Sequence, residues 1–244
     1  MKRAKRWLGW AAGLWAAAAL AQVAPEPVVL TVLGTNYTAR ELGVEPGSPA
    51  NRLPARAILK IQSGILGAYD EKLDYEPTET ELKEYCRRSA PTPADMDAVF
   101  RHDRPTSLSD EKIFESFWQD WQSDAEDPHG AMRMAAADLK QWRFAQALFA
   151  EYGGRVYVDA YLVPGVPDAA RAHLAEREAA GDFTIHGAEL RERCWEMLRT
   201  PSPVPLVAEE EGRAALAEHP ADRQRRHAAK SLREHMDKAR APSP

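Results

Sequence analysis

The sequence predicts a mostly α-helical protein with one small β element, and three observations lead to this fold class. Apolar residues recur at helical spacing through most of the chain. Several of these segments begin at a capping signal and end at glycine or proline. Only two runs, Val28–Leu33 and Val156–Val163, have the β-branched or alternating pattern of strands. A lone strand leaves its backbone edges unpaired, so we expect these two runs to pair with each other.

The chain begins with the three zones of an export signal. Four basic residues lie within positions 2–6, no charge occurs from Trp7 to Leu20, and small residues two apart follow at Ala19-Leu20-Ala21. This order is typical of a signal peptide over residues 1–21, with cleavage before Gln22. The interpretation places the protein in the periplasm or otherwise outside the cell. An uncleaved anchor helix is the alternative, although the apolar run is short for a membrane span.

Composition argues against nucleic acid as a partner. The formal charge is −5, and loss of residues 1–21 removes four basic and no acidic groups, which leaves −9. An acidic chain of this kind is poorly suited to bind nucleic acid or an anionic membrane surface. We therefore expect no nucleic-acid partner, and contact with a membrane only through an uncleaved signal peptide.

Helix signals divide the rest of the chain. A turn at Gly34-Thr35-Asn36 follows the first strand, and Tyr37-Thr38 could return as a second short strand. Capping-box spacing at Thr38/Glu41 predicts the start of a short helix, and the same spacing at Thr78/Glu81 predicts another helix start. Helices are expected at about 55–73, 78–88, 107–122, 132–152, 167–181 and 187–198, with a short extended link at 182–185. Residues 27–199 should form one compact helical domain. After a proline-rich break, residues 200–244 should be a charged exposed helix or a frayed tail.

Large rings on the predicted helices allow two interpretations. They could line a groove for unfolded polypeptide, which would bind apolar segments by burying area, or they could pack inward as core. A mixed arrangement, with the later rings inside and Trp118 or Trp121 at a cleft edge, also fits the pattern. The candidate peptide-binding residues are Phe114, Phe117, Trp118, Trp121, Trp142 and Phe149.

The sequence offers few groups for covalent or catalytic chemistry: it has two cysteines and no recognisable catalytic motif. An oxidising compartment would allow a disulfide between Cys86 and Cys194, but two separate thiols fit the sequence equally well. No nucleophile elbow, phosphate-binding loop, dinucleotide fingerprint or metal-ligand spacing occurs, and the seven histidines are scattered. We therefore expect no catalytic residues, no metal and no cofactor.

The first quarter of the mature chain resembles the N-terminal module of SurA/PrsA-type periplasmic chaperones. The similar residues are the strand, turn and returning strand from Val28 to Leu42, the helix from Ile58 to Leu73, and Pro77-Thr78-Glu79 at the next helix start. The resemblance implies a helical chaperone core that binds polypeptide. A second segment, Val156–Val163 followed by residues 168–181 and Asp182-Phe183, looks like the opening of a parvulin prolyl isomerase domain. The remainder of a parvulin domain, with its active-site residues, has no counterpart here.

Three functional hypotheses follow from these patterns. The first is an extracytoplasmic chaperone-like or peptide-binding protein that lacks prolyl isomerase activity, with unfolded or extended polypeptide as its partner. The second is a scaffold or assembly subunit of an envelope complex, which would dock through the charged segment after Pro205. The third is an enzyme, a residual parvulin-type peptidyl-prolyl isomerase.

Overall fold

Strands β1 (Val28–Val32), β2 (Thr35–Thr38) and β4 (Phe183–Ile185) form a three-stranded antiparallel sheet with the order β2-β1-β4. The computed structural model describes residues 26–90, 92, 130–158, 163–200, 205–228 and 230. Strand β1 turns at Leu33-Gly34 into β2, and β4 pairs with the other side of β1. The Thr38/Glu41 capping box forms, with reciprocal hydrogen bonds of 2.7 and 3.3 Å, but it begins a turn and not a helix.

The helices over residues 52–89 follow the predicted pattern, whereas the predicted helix at about 107–122 lies outside the described residues. Helix α1 (Arg52–Ile61) continues through a π-helical turn (Gln62–Leu66) into α2 (Gly67–Leu73). Gly64 lies in the π-helical turn, where a Cβ atom would sit 2.7 Å from Val32 Cγ1, so the missing side chain lets this helix approach β1 closely. Helix α3 (Glu79–Ser89) begins at the predicted Thr78/Glu81 capping box.

The second half contributes a long helix and a helix–strand–helix unit. Helix α4 (Ala131–Tyr152) ends at Gly153, whose φ of 62° is easily adopted by glycine. The short strand β3 (Val156–Tyr157) follows. Helix α5 (Pro167–Ala179), strand β4 and helix α6 (Ala188–Arg199) then succeed one another with turns at Gly181 and Gly187.

The mostly α fold with a small β element is confirmed, but the predicted strand pairing is wrong. Both sides of β1 are occupied, by β2 and β4, so Val28–Leu33 has no edge to offer Val156–Val163. Instead β3 pairs with β5 (Leu206–Val207). The link at 182–185 forms the partner of β1, because Gly181 at φ 85° lets the chain turn back from α5 onto the sheet.

Residues 205–228 also differ from the prediction of an exposed helix or frayed tail over 200–244, and most of the remainder of that segment lies outside the described residues. Strand β5, helix α7 (Glu209–Ala217) and a helix over 220–228 pack against α4, β3 and α3, and Leu216, Ala221 and Ala228 are buried. The Trp142 indole and the Gln146 amide both donate to the Leu216 carbonyl oxygen, at 2.8 and 2.9 Å. Small alanine side chains and the Leu216 carbonyl oxygen therefore hold this segment against the core, a role that large apolar side chains have in the other clusters.

Three apolar clusters form the described core. The sheet cluster joins β1, β4, α1 and α6 through residues such as Leu30, Val32, Ile61 and Phe183. A central cluster lies between α4, α5, β3 and α7. The C-terminal cluster joins α3, α4 and the helix over 220–228 through Tyr85, Leu139, Trp142 and Ala221.

Candidate functional site

The outer edge of β4 faces an open cleft of about 490 Å³ between α5 and α6. All three residues of β4 line the cleft. Its walls are Ala175, Glu178 and Ala179 from α5, and Arg191, Trp195 and Arg199 from α6. The two helices flank β4 because the tight turns at Gly181 and Gly187 fold each of them back beside it.

The register of β4 determines which backbone groups face this cleft. Asp182 accepts from the Leu33 N–H at 2.7 Å, and the His186 N–H donates to Val29 at 3.0 Å. Because antiparallel hydrogen bonds alternate along a strand, residues 182, 184 and 186 pair with β1. The N–H and C=O groups of Phe183 and Ile185 therefore point away from β1, and within the described residues no backbone partner meets them.

The walls of the cleft are braced by one polar cluster. Arg191 donates through Nε and Nη2 to the two carboxylate oxygens of Glu178, at 2.8 and 2.7 Å. The Trp195 indole N–H donates to Glu178 Oε2 at 3.0 Å. These three bonds fix α5 against α6 and neutralise the Glu178 charge, so the cleft keeps its shape without a ligand.

Apolar side chains form the base of the cleft. Phe183, Ile185 and Trp195 are nearly buried, while Ala175 and Ala179 are exposed and small. The accessible surface therefore consists of a strand edge, small methyl groups and arginine side chains. This composition suits an extended chain that binds through its main chain.

A second polar cluster lies between α2, α4 and α5. The Tyr152 hydroxyl donates to Glu176 Oε2 at 2.8 Å and contacts His173 Nδ1 at 3.0 Å, and the Tyr69 hydroxyl donates to Glu151 at 3.0 Å. Burial lowers the pKa of His173, and burial with the Glu151 hydrogen bond raises the pKa of Tyr69 to about 12. The phenols stay protonated and the imidazole neutral near pH 7, so this cluster supplies structural hydrogen bonds and no activated nucleophile.

The aromatic candidates from the sequence do not line the β4 cleft. Trp142 and Phe149 are 8 % and 5 % exposed and belong to the C-terminal and central clusters. They are therefore not available to a bound peptide. Phe114, Phe117, Trp118 and Trp121 lie outside the described residues, as does the predicted signal peptide over 1–21.

The two cysteines are free thiols in different clusters, so the disulfide between Cys86 and Cys194 does not form. Burial raises the pKa of Cys194 to about 11 and also raises the pKa of Cys86. Both thiols are therefore protonated near neutral pH and poor nucleophiles.

Sequence reasoning missed this cleft, although one signal for it was present. Arg191, Trp195 and Arg199 recur at intervals of four, which places them on one stripe of α6. This stripe joins one buried ring to two exposed arginines, so it lacks the uniform apolar pattern by which a binding face is found in a sequence. The edge of β4 depends on a contact between residues about 150 positions apart, which no local pattern encodes.

Across the ranges that the structure describes, no group of histidine, cysteine and acidic residues is arranged to hold a metal ion. Within the same ranges, no helix combines the length and apolar character needed to span a bilayer. Comparison with protein-family models, with curated proteins and with solved structures gave no significant match. The β4 cleft and the sequence therefore carry the functional assignment.

Proposed function

We propose that this chain is an extracytoplasmic, chaperone-like protein that binds extended polypeptide and lacks prolyl isomerase activity. One observation carries the proposal: the outer backbone groups of Phe183 and Ile185 have no backbone partner in the part of the chain that the structure describes, and they face an open cleft. An extended segment of a client can add to the sheet there as a fourth strand. Main-chain hydrogen bonds recognise polypeptide irrespective of its sequence, which is the property a chaperone requires.

Two features of the sequence support the same class of function. The predicted signal peptide over 1–21 would deliver the protein to a compartment that unfolded polypeptides cross. The N-terminal residues from Val28 resemble those of SurA/PrsA-type chaperones.

The scaffold hypothesis rests on the charged segment after Pro205 as a docking element. Residues 206–228 of that segment pack against α3, α4 and β3, while Glu209, Glu210 and Glu211 remain exposed. Strand addition at β4 needs no such segment. Polypeptide binding is therefore the function that the geometry favours.

The experiment is a binding titration with a cleft-blocking variant. Ala175→Gln with Ala179→Gln places two long, uncharged side chains on the exposed wall of the cleft without altering the core. Ala172→Gln makes the same change on the same helix, outside the cleft lining. We measure the fluorescence anisotropy of a dye-labelled, permanently unfolded model polypeptide and, separately, suppression of its aggregation.

The double variant should bind at least about tenfold more weakly, because loss of two or more net hydrogen bonds of about 1 kcal/mol each changes affinity by that order. The Ala172→Gln variant should bind like the natural protein. Equal binding by all three proteins would exclude the β4 cleft. Absence of binding by the natural protein would exclude the proposed function. Turnover above background in a protease-coupled proline assay would restore the isomerase hypothesis.

A further inference from the structure

Three charged side chains line the β4 cleft, and two of them neutralise each other. Glu178 is 15 % exposed, and its two carboxylate oxygens accept from Arg191 and from the Trp195 indole. The Glu178 carboxylate is thus fully engaged, and its charge is balanced by Arg191. A polypeptide segment can therefore bind in the cleft without breaking the Glu178–Arg191 ion pair.

The third charged side chain, Arg199, is exposed in the same cleft and has no ion-pair partner among the described residues. It lies on the α6 stripe that also carries Arg191 and Trp195. Eight residues separate Arg199 from Arg191, which corresponds to about 12 Å along a helix. An extended chain covers that length with about four residues. One uncompensated positive charge therefore lies within one short ligand segment of the neutral Glu178–Arg191 pair.

We propose that the cleft selects extended segments that carry an acidic side chain, and that Arg199 is the residue that determines this specificity. The inference rests on the proposed function, because it assumes that polypeptide adds to β4. The main chain of the segment pairs with Phe183 and Ile185, and a glutamate or aspartate of the same segment pairs with the Arg199 guanidinium. Charge complementarity within the cleft identifies this occupant.

The test uses short peptides whose only carboxylate is one side chain. Acetylated and amidated nine-residue peptides of alternating valine and threonine carry a single glutamate, glutamine or lysine, placed at each position in turn, and a dye for anisotropy. Arg199→Gln removes the charge in the cleft. Arg56→Gln is the matched control, because Arg56 is exposed on α1, outside the cleft lining.

The natural protein should bind the best glutamate peptide about fivefold more tightly than its glutamine counterpart, the order expected for one partly screened ion pair. Arg199→Gln should abolish this preference, so that the glutamate and glutamine peptides bind it equally, while Arg56→Gln should retain the preference. Arg199→Glu should favour the lysine peptide. The preference should shrink at 1 M salt, where the screening length is about 3 Å.

The outcomes distinguish failure of the Arg199 specificity from failure of polypeptide binding itself. If the glutamate and glutamine peptides bind equally, or if Arg56→Gln removes the preference as fully as Arg199→Gln, the role of Arg199 is refuted and polypeptide binding stands. If no peptide binds and the unfolded model polypeptide does not bind either, the proposed function is refuted, and the specificity falls with it.

Discussion

Different forces hold the sheet cluster and the smaller C-terminal cluster. In the sheet cluster, Leu30, Ile61 and Phe183 are at most 2 % exposed and are surrounded by other apolar side chains. In the C-terminal cluster, hydrogen bonds and ion pairs reach the interior. Tyr85 donates to Asp138, Arg88 is bidentate to Asp222, and Arg223, 6 % exposed, lies 3.3 Å from Glu218.

This difference predicts that the two clusters respond differently to a change in pH. Apolar packing resists change because its loss leaves a cavity, and its strength depends little on pH. Buried polar groups depend on protonation and on each partner being in place. The base of the β4 cleft is built on the first kind of cluster, with the Glu178–Arg191 pair bracing its walls, and the C-terminal segment is attached through the second kind. We therefore expect pH to loosen the C-terminal segment before it affects the cleft.

The largest expected effect is the loss of a buried ring from the sheet cluster. Phe183→Ala should lower the free energy of unfolding by about 3–5 kcal/mol, since the side chain is 2 % exposed and packs under the sheet. Urea denaturation followed by circular dichroism measures the change. Leu59→Ala, at a position 57 % exposed, is the control and should change stability by less than about 0.5 kcal/mol. Equal effects from both substitutions would refute the assignment of Phe183 to the core.

Substitution of two glycines by alanine tests the close approach of the π-helical turn to β1 and of α7 to β3. An alanine Cβ at Gly64 would lie 2.7 Å from Val32 Cγ1, and one at Gly212 would lie 2.4 Å from Val156 Cγ2. Each Gly→Ala change should destabilise by about 1–3 kcal/mol through overpacking, less the gain in helix propensity of about 1 kcal/mol. Hydrogen exchange should place the first effect in the sheet and the second in β3 and α7.

Gly67→Ala is the matched control for these two substitutions. A Cβ at Gly67 meets no atom within 4 Å, so this change should stabilise the chain by up to about 1 kcal/mol through helix propensity alone. If Gly64→Ala behaves like Gly67→Ala, the contact between the π-helical turn and β1 is not a tight one.

Substitution of two tryptophans tests the hydrogen bonds that attach the C-terminal segment to α4 and α5 to α6. Trp142→Phe keeps an aromatic ring but removes the donor to Leu216, and Trp195→Phe removes the donor to Glu178. Each lost hydrogen bond should cost about 1 kcal/mol, because the acceptor keeps a second donor, Gln146 or Arg191 respectively. The smaller phenyl ring also leaves a cavity, which adds a similar cost in both variants because both rings are buried. Hydrogen exchange should quicken in residues 206–228 for the first variant, and in α5 and α6 for the second. Identical exchange patterns would contradict two separate attachments.

Local signals in the sequence predicted much of the fold, and contacts between distant segments limited the rest. The Thr78/Glu81 capping box and the Gly153 stop are encoded within four residues of the helix ends, and both are present. The pairing of β4 with β1 joins three-residue stretches far apart in the chain, and a three-residue strand has no period to detect. The same limit hid the β4 cleft, since its binding edge exists only after that pairing has formed.

The attachment of the C-terminal segment was missed for a different reason. Its buried positions are small, Ala221 and Ala228, and its main anchor is the Leu216 backbone carbonyl, which every residue type possesses. A charged, alanine-rich composition therefore predicted exposure. The partners that bury this segment, Trp142 and Arg88, lie on α4 and α3, more than 70 residues earlier in the chain.

The smallest expected effect is a pH dependence confined to the C-terminal segment. His219 packs against Trp142, with ring centroids 5.1 Å apart, and its Nδ1 accepts the Ala221 N–H at 3.2 Å. Burial lowers the pKa of His219, and the nearby positive charge of Arg88 lowers it further, although Asp222 opposes the shift. A lowered folded-state pKa means that the unfolded chain takes up the proton first as the pH falls.

The stability that neutral His219 contributes is therefore complete above its unfolded pKa of 6.5 and is lost as the pH falls through the lower folded value. Protonation also ends the acceptance of the Ala221 N–H by Nδ1. Hydrogen exchange in residues 206–228 should quicken between pH 7 and pH 5, after correction for intrinsic rates, while β1 and β4 stay protected. In His219→Gln the dependence should weaken. A natural protein whose β1 and β4 amides lose protection together with the C-terminal segment would show that the two regions respond to pH as one unit.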